Sequence, residues 1–514
     1  AEHAAALAYH LLEALSLGTA QRAYGYLLRS AEHAVAMLSY DETVEAYGKA
    51  LELLENVEGT AAAERLRLLS ARGAAQRRAG DMIGALGTLR SAADEAARRG
   101  LLEEMAGAAV AFEETLFWLG RPGDEALDLV ERATGALPPD DSPLRALTLA
   151  TMSRTLATSG RKTGDWPHQA LAMAERLGDP ATSFRVAFRT TESATSVQQA
   201  ESSAACWSQL CAGAKELGEE DAYLLGLGQL FWAEAMLGEV SGADELIADY
   251  DRLAGQLRQS RWDYWLNLMR AFRASLAADL ASAEQFLEVA EDVGEGFGWA
   301  REGLYGISMF LLRREQGRLP GVAPLVRAAS ALDSQNTLWR PGLAALYIET
   351  GSPDLARSEY EAVLSQWASG VPADSSFELS LGLVAEVCAA LGDGERARWL
   401  IDLLRPCRGR FLTFLGCAAG LGPTDRLLGM LASAAGRPED AERWHRSGLE
   451  LARRMASPLW IAHCLHDYGE YQIQYGMPTG FDLLREASLV CEDKGLVVLG
   501  SRVERTLQET PPDL

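Results

Sequence analysis

Apolar and small residues recur at three- and four-residue spacing along almost the whole chain, a period that predicts helices and excludes strands. Residues 66–99, LRLLSARGAAQRRAGDMIGALGTLRSAADEAARR, show the unit most plainly. Leu66, Leu69 and Gly73 set the stripe of one helix; Ala85, Leu89 and Ala92 set that of the next; Ala79-Gly80-Asp81 lies between them. Gly80 permits the positive φ that closes the first helix, and Asp81 supplies a side-chain cap for the second. So short a connection makes the pair antiparallel. The small residues Gly73, Ala85 and Ala92 let the two backbones approach closely. One such pair cannot bury its own apolar face, so it requires a copy of itself on each side.

The copies are present. A small or apolar residue about five positions after each turn marks them: Thr43, Ala85, Ala126, Ala170, Cys206, Ala243, Ala283, Val322, Ala356, Ala397, Ala441 and Leu484. Neighbouring markers lie 34 to 44 residues apart, after turns such as Gly80-Asp81, Gly120-Arg121-Pro122 and Gly392-Asp393-Gly394. The pattern predicts an all-α, right-handed superhelical solenoid of about twelve helical hairpins, running as one solenoid over residues 1–514. It weakens at 135–143, 190–203, 365–376 and 405–423, which read as long loops or hinges. The serine-rich stretch 190–203 reads as a hinge or a disordered loop. At 135–143, Asp141 or Ser142 caps the next helix and Pro143 takes its first position.

Composition agrees. The chain is 48% hydrophobic, enough for a continuous core, and β-branched residues are too sparse for a sheet domain. The formal net charge of −24 argues against broad nucleic-acid or anionic-membrane binding, which needs a basic footprint. No apolar run reaches membrane-spanning length and no signal peptide is visible. Seven cysteines without a CxxC motif read as reduced thiols of a cytoplasmic protein. The chain opens on Ala1 and reads as part of a longer protein.

Catalytic signatures are missing. The phosphate-loop pattern GxxxxGK[ST] is absent: Gly160-Arg161-Lys162-Thr163 lacks the first glycine. GxSxG is absent as well. His463 and His466 share a helical face at i, i+3, with Cys464, Asp467 and His445 near in sequence or in the repeat. HExxH is not there, and a zinc site needs three or four convergent ligands, so these read first as interface histidines. No catalytic residue, cofactor or metal is assigned, and the chain reads as a binding protein rather than an enzyme.

The first helix of each pair in such a solenoid lines the concave face. Trp262, Trp265 and Arg270 fall on one first helix, Arg313 and Arg314 on the next, and Trp339 and Arg340 follow. Tryptophan and arginine dominate binding hot spots, and adjacent helices lie roughly 8–10 Å apart, so these side chains form the candidate partner groove. On that reading Arg314→Ala weakens partner binding and leaves stability nearly unchanged. The opposing reading pairs Arg313 and Arg314 with Glu302 or Glu315 on the surface, where such pairs contribute little.

The small and large positions Gly73, Gly80, Ala85, Leu89 and Ala92, and again Gly351, Ala356 and Tyr360, resemble the tetratricopeptide repeat. The spacing near forty exceeds that family's usual length, and its signature tryptophan and proline are mostly missing. A fuller resemblance is to the tetratricopeptide-like C-terminal solenoid of bacterial STAND-type signal-transduction ATPases. The stretches that carry it are 10–13 with Tyr26-Leu-Leu-Arg-Ser-Ala-Glu32, Ala136-Leu-Pro-Pro-Asp-Asp-Ser-Pro-Leu144, Arg176-Leu-Gly-Asp-Pro-Ala181 and Leu312-Arg-Arg-Glu-Gln-Gly-Arg-Leu319. The resemblance implies an ATPase ahead of this region, in cis or in trans, and an output through a LuxR-type helix-turn-helix or a class III nucleotide cyclase. It implies protein, peptide or small-molecule inducer as partner. The family's ATP-binding motifs have no matching positions here. The alternatives are a free-standing interaction scaffold and a metal or enzymatic protein built on His445, His463 and His466.

Overall fold

The computed structural model describes residues 3–54, 62–119, 123–192, 196–257, 259–297, 303–332, 339–371, 377–414 and 419–509. The Gly120-Arg121-Pro122 turn, Glu302 and Cys417 lie outside them, as do 193–195, 372–376 and 415–418 within the weak stretches.

The chain is all-α apart from one hairpin of strands. Helix α1 (Ala4–Glu13) leads into α2 (Ala20–Ala36) with α3 (Tyr40–Leu53), α4 (Ala62–Ala79) with α5 (Met82–Arg99), and α6 (Leu102–Trp118) with α7 (Asp124–Ala136). Next come α8 (Pro143–Thr158) with α9 (Trp166–Leu177), then α10 (Pro180–Glu192), α11 (Ala200–Leu217), and α12 (Glu220–Leu237) with α13 (Ala243–Leu257). Then follow α14 (Ser260–Leu276) with α15 (Leu280–Phe297), α16 (Leu304–Glu315) with α17 (Leu319–Leu332), and α18 (Trp339–Glu349) with α19 (Pro353–Trp367). The last are α20 (Phe377–Ala390) with α21 (Gly394–Leu404), α22 (Thr424–Ala434) with α23 (Pro438–Arg454), α24 (Pro458–Gln474) with α25 (Thr479–Lys494), and a closing α26 (Val497–Glu509). Strands β1 (Phe411–Phe414) and β2 (Ala419–Pro423) lie between α21 and α22. Among the described residues the helices follow one another as the period predicts, between α1 and α26, with α10 packed on α8 and α9, and α11 on α12. No described helix is long and apolar enough to cross a membrane.

Every marker residue except Cys206, on α11, falls on the second helix of its pair. Ten of the twelve are buried, because a small side chain there lets the two helices touch. Cys206 and Val322 are the exceptions: Trp207 and Ala323 are the buried residues beside them. At Gly73 a Cβ would lie 2.6 Å from Leu89 Cγ, which shows how closely α4 and α5 approach. Asp81 caps α5 by accepting from the Gly84 N–H at 2.9 Å, and Ser142 caps α8 by accepting from Arg145 at 3.2 Å.

Packing divides the chain into two compact units. The N-terminal unit is Ala1–Ser193, Leu253–Trp262 and Val293–Trp299; the C-terminal unit is Ala194–Arg252, Asp263–Asp292 and Ala300–Leu514. In the N-terminal unit the first helices carry paired charges. Glu114 on α6 meets Arg77 on α4 at 3.0 Å and Arg189 on α10 at 2.8 Å, and Glu113 meets Arg154 on α8 at 2.5 Å.

Two weak stretches are more ordered than their sequences suggest. In 190–203, α10 runs to Glu192 and α11 starts at Ala200, with a 3-10 turn at Val197–Gln199. Val197 is buried, and the Val197 and Gln198 N–H groups donate to the Glu378 carboxylate at 2.8 and 3.3 Å. That anchor replaces the expected disordered loop over the described part.

In 405–423, β1 pairs antiparallel with β2, with an irregularity between Leu412 and Thr413. The sequence hid these strands because all four β1 side chains are buried, so no alternation appears. The strands pack among the first helices of the C-terminal unit. The Phe411 ring lies 5.9 Å from Phe272 and 5.8 Å from Trp460. Gly422 has φ +94°, and a Cβ there would lie 2.5 Å from the Trp460 ring.

Candidate functional site

Five first helices of the C-terminal unit, α16, α18, α20, α22 and α24, and the closing α26 each bring one charged side chain to the same level. They are Arg314, Glu349, Glu386, Arg426, Asp467 and Arg502, spaced 35 to 41 residues apart like the hairpins themselves. A constant position in successive repeats puts them side by side on one face.

Glu386 is the centre of the row. One carboxylate oxygen accepts from Arg314 Nη1 at 2.7 Å and the other from Arg426 Nη1 at 3.0 Å. Arg314 Nε donates to Glu349 at 2.9 Å, and Arg502 donates to the second Glu349 oxygen. On the other side Arg426 Nε donates to Asp467 Oδ2 at 2.6 Å, and Asp467 Oδ1 faces His466 Nδ1 at 2.9 Å. His463 pairs with Glu315 at 2.9 Å. Arg314, Glu386 and Arg426 are all buried. All six line a cavity of about 290 Å³, together with Met430, His445, Tyr471 and Gln474.

Burial works to raise the carboxyl pKa of Glu386 and of Asp467, but the neighbouring guanidinium groups outweigh it and hold both below the usual carboxylate range. Glu315 is likewise held at about 2, against burial, by His463 and Arg314. His466 is raised: its hydrogen bond and charge contact with Asp467 outweigh burial. His445 goes the other way. Burial pushes it down to about 4, and its ring stacks on Tyr468 at 5.8 Å and 10°. The His445 ring is therefore neutral at physiological pH.

These shifts predict an acid-labile C-terminal unit. A histidine with a depressed folded pKa contributes stability that is full above its ordinary value, near 6.5, and is lost as pH falls toward 4. For His445 the loss reaches about 3 kcal/mol by pH 4. Glu386 and Glu315 have the same sign, with stability lost as pH falls through their depressed folded values. The raised His466 changes only above pH 6.5, outside this window. Denaturant titrations should show stability falling between pH 6.5 and 4.5, with His445→Gln flattening the slope. An unchanged slope in that variant would remove His445 from this account.

The residues singled out in the sequence are not gathered in one place. Arg314 lines the cavity. Trp262 belongs to the N-terminal unit and is fully buried, 5.3 Å from the Trp118 ring, with Arg261 over both indoles. Trp265 is half-buried, and its neighbour Arg270 pairs with Asp251 on α13 at 2.7 Å. Arg313 pairs with Glu284 on α15 at 2.5 Å. Trp339 packs edge-on to Phe310, and Arg340 lies 3.3 Å from Glu359 on α19. Apart from Arg314, each of these arginines reaches for a second helix rather than the row.

Arg314 pairs not with Glu315 at the surface but with Glu349 and Glu386, both largely buried, and Glu302 lies outside the described residues. The expected neutrality of Arg314→Ala falls with it, since truncating one member of a buried pair leaves the others uncompensated. Glu349, Glu386, Arg426 and Arg502 escaped the sequence reading, and Asp467 entered it only beside the histidines. Their signal was a charge recurring at one position per repeat in largely apolar helices such as FELSLGLVAEVCAA.

No family model and no curated protein matches the sequence. Among solved structures the chain is similar to yeast Tom70, with 10% identity, TM-score 0.34, and coverage of 95% of this chain and 96% of that one. It is also similar to the APC/C hetero-tetramer Cut9-Hcn1, with 12% identity, TM-score 0.34, and coverage of 94% and 96%. A third is a Rap protein complexed with competence and sporulation factor, at 13% identity, TM-score 0.29, and coverage of 84% and 98%. Likenesses this loose decide nothing about the site.

Proposed function

We propose that this chain is a partner-binding module that takes a protein or peptide at the cavity of its C-terminal unit. The observation that carries this reading is the row of six charges, three of them buried, that line one cavity from six different helices. Stacking alone does not call for it: replacing buried ion pairs by apolar residues of similar volume is often neutral or stabilising. Alternating arginines and carboxylates do supply donors and acceptors to a polar ligand. At about 290 Å³ the cavity sits at the lower end of ligand-sized pockets, roughly 300–1,000 Å³. It suits a side chain or chain terminus of a partner, or a small inducer, rather than a folded domain. The resemblance to STAND regulators supports the finer reading: a non-enzymatic sensor that controls an ATPase in cis or in trans, in transcription or cyclic-nucleotide signalling.

Site-specific photo-crosslinking tests this. A benzophenone side chain at Ala390, exposed at the cavity, should crosslink a partner that carries an ATPase domain; the same probe at Leu489, exposed on α25, should not. Crosslinking only at Leu489 contradicts the site. A partner without ATPase motifs contradicts the regulator and favours the scaffold.

A further inference from the structure

We propose that the cavity also holds a divalent transition-metal ion of the zinc class, ligated by His466 and Glu470 with Asp467 beside them. One ligand atom from each of these three residues lies within 4.8 Å of the others. His466 and Glu470 stand one helical turn apart on α24, so both side chains leave the same face.

Three observations single this cluster out from ordinary surface acids. First, His466 is 7% exposed, and its Nε2 is buried without a hydrogen-bond partner. Glu470 Oε1 lies 3.4 Å from that nitrogen, close in charge terms but not hydrogen-bonded. Two ligands on one tetrahedral ion, with bonds of about 2.0–2.1 Å, are separated by roughly 3.3 Å. The two atoms thus stand where a shared ion would place them. Second, the opposite nitrogen, Nδ1, faces Asp467 Oδ1 at 2.9 Å, and Asp467 is itself fixed by Arg426. With the proton on Nδ1 toward Asp467, the tautomer that ligation through Nε2 requires, the ion takes the Nε2 lone pair in place of a second proton. A carboxylate behind a ligating imidazole orients it and raises its basicity. Third, His445, 2% exposed, lines the same cavity and has its own Nδ1 buried without a partner.

Charge favours a cation. Among the lining residues Glu349, Glu386, Asp467 and Glu470 outnumber Arg314, Arg426 and Arg502 by one. Imidazole with carboxylate suits zinc and its neighbours rather than calcium. Two protein ligands fall short of the three or four of a structural or catalytic zinc site, so solvent supplies the rest where the half-exposed Glu470 side chain meets the rim.

The test is a titration of the full chain with Zn²⁺ by calorimetry and with Co²⁺ by visible absorption. One equivalent should bind. His466→Gln should abolish binding, and Glu470→Gln should weaken it by about tenfold or more. Glu470 is half exposed, so its variant keeps the fold and the test stays decisive. No saturable binding overturns the proposal. Binding that survives both variants shows an adventitious ion only, on exposed histidines such as His3, His10 or His168. The titration involves no partner protein, so its failure leaves the partner-binding reading standing.

Discussion

Glu386→Ala is expected to destabilise the C-terminal unit by about 3–5 kcal/mol, the cost of breaking a buried ion pair from one side. Glu386 is the shared acceptor of Arg314 and Arg426, both buried, and its loss leaves two guanidinium groups without their common counter-charge. The control is the triple variant Arg314→Met, Glu386→Leu, Arg426→Met. An apolar triad of similar volume should recover part of that loss, because these three charges go together while Glu349 keeps Arg502 and Asp467 keeps His466. The triple variant is therefore the proper test of binding: it should stay folded and lose the partner. Urea unfolding of the three proteins, read on the transition of that unit, checks both values. A Glu386→Ala protein as stable as the parent would mean that the row is not coupled as its distances indicate.

Phe411→Ala should cost about 3–5 kcal/mol, the usual range for emptying a fully buried aromatic site. Phe411 is fully buried and sits edge-on to both Phe272 and Trp460, and Phe272 in turn meets Phe231 at 6.1 Å. The backbone beside it cannot collapse into the gap, because Gly420 and Gly422 already press on these same rings. Thermal melting of the variant should show a lowered transition in the C-terminal unit. A shift under a degree would place Phe411 outside the core of that unit.

Helix type and the buried second-helix positions were both legible in the sequence, because a period near forty repeats the same small residue at the same contact. Thr43, Ala85 and Ala397 are fully buried for that reason. The marker slipped at Cys206 and Val322, where neighbouring Trp207 and Ala323 are buried. The strands were illegible because buried strands show no alternation.

The row of charges was missed for a different reason. Hot-spot logic looks for tryptophan and exposed arginine, and it led to Trp262, which is core, and to Arg270, Arg313 and Arg340, which pair with second helices. Only Arg314 met the row. The useful signal was periodic: a charge that returns every 35 to 41 residues among apolar neighbours marks one face of successive helices. The ion pairs of Arg77, Glu114, Arg154 and Arg189 show that the N-terminal unit repeats the device.

Amide hydrogen exchange of the chain, alone and with the crosslinked partner supplied as purified protein, tests the central claim most directly. The partner should slow exchange in α18, α20 and α24, whose side chains line the cavity, and leave the second helices α19, α21 and α25 unchanged. Protection confined to α19, α21 and α25, or to the N-terminal unit, would contradict it.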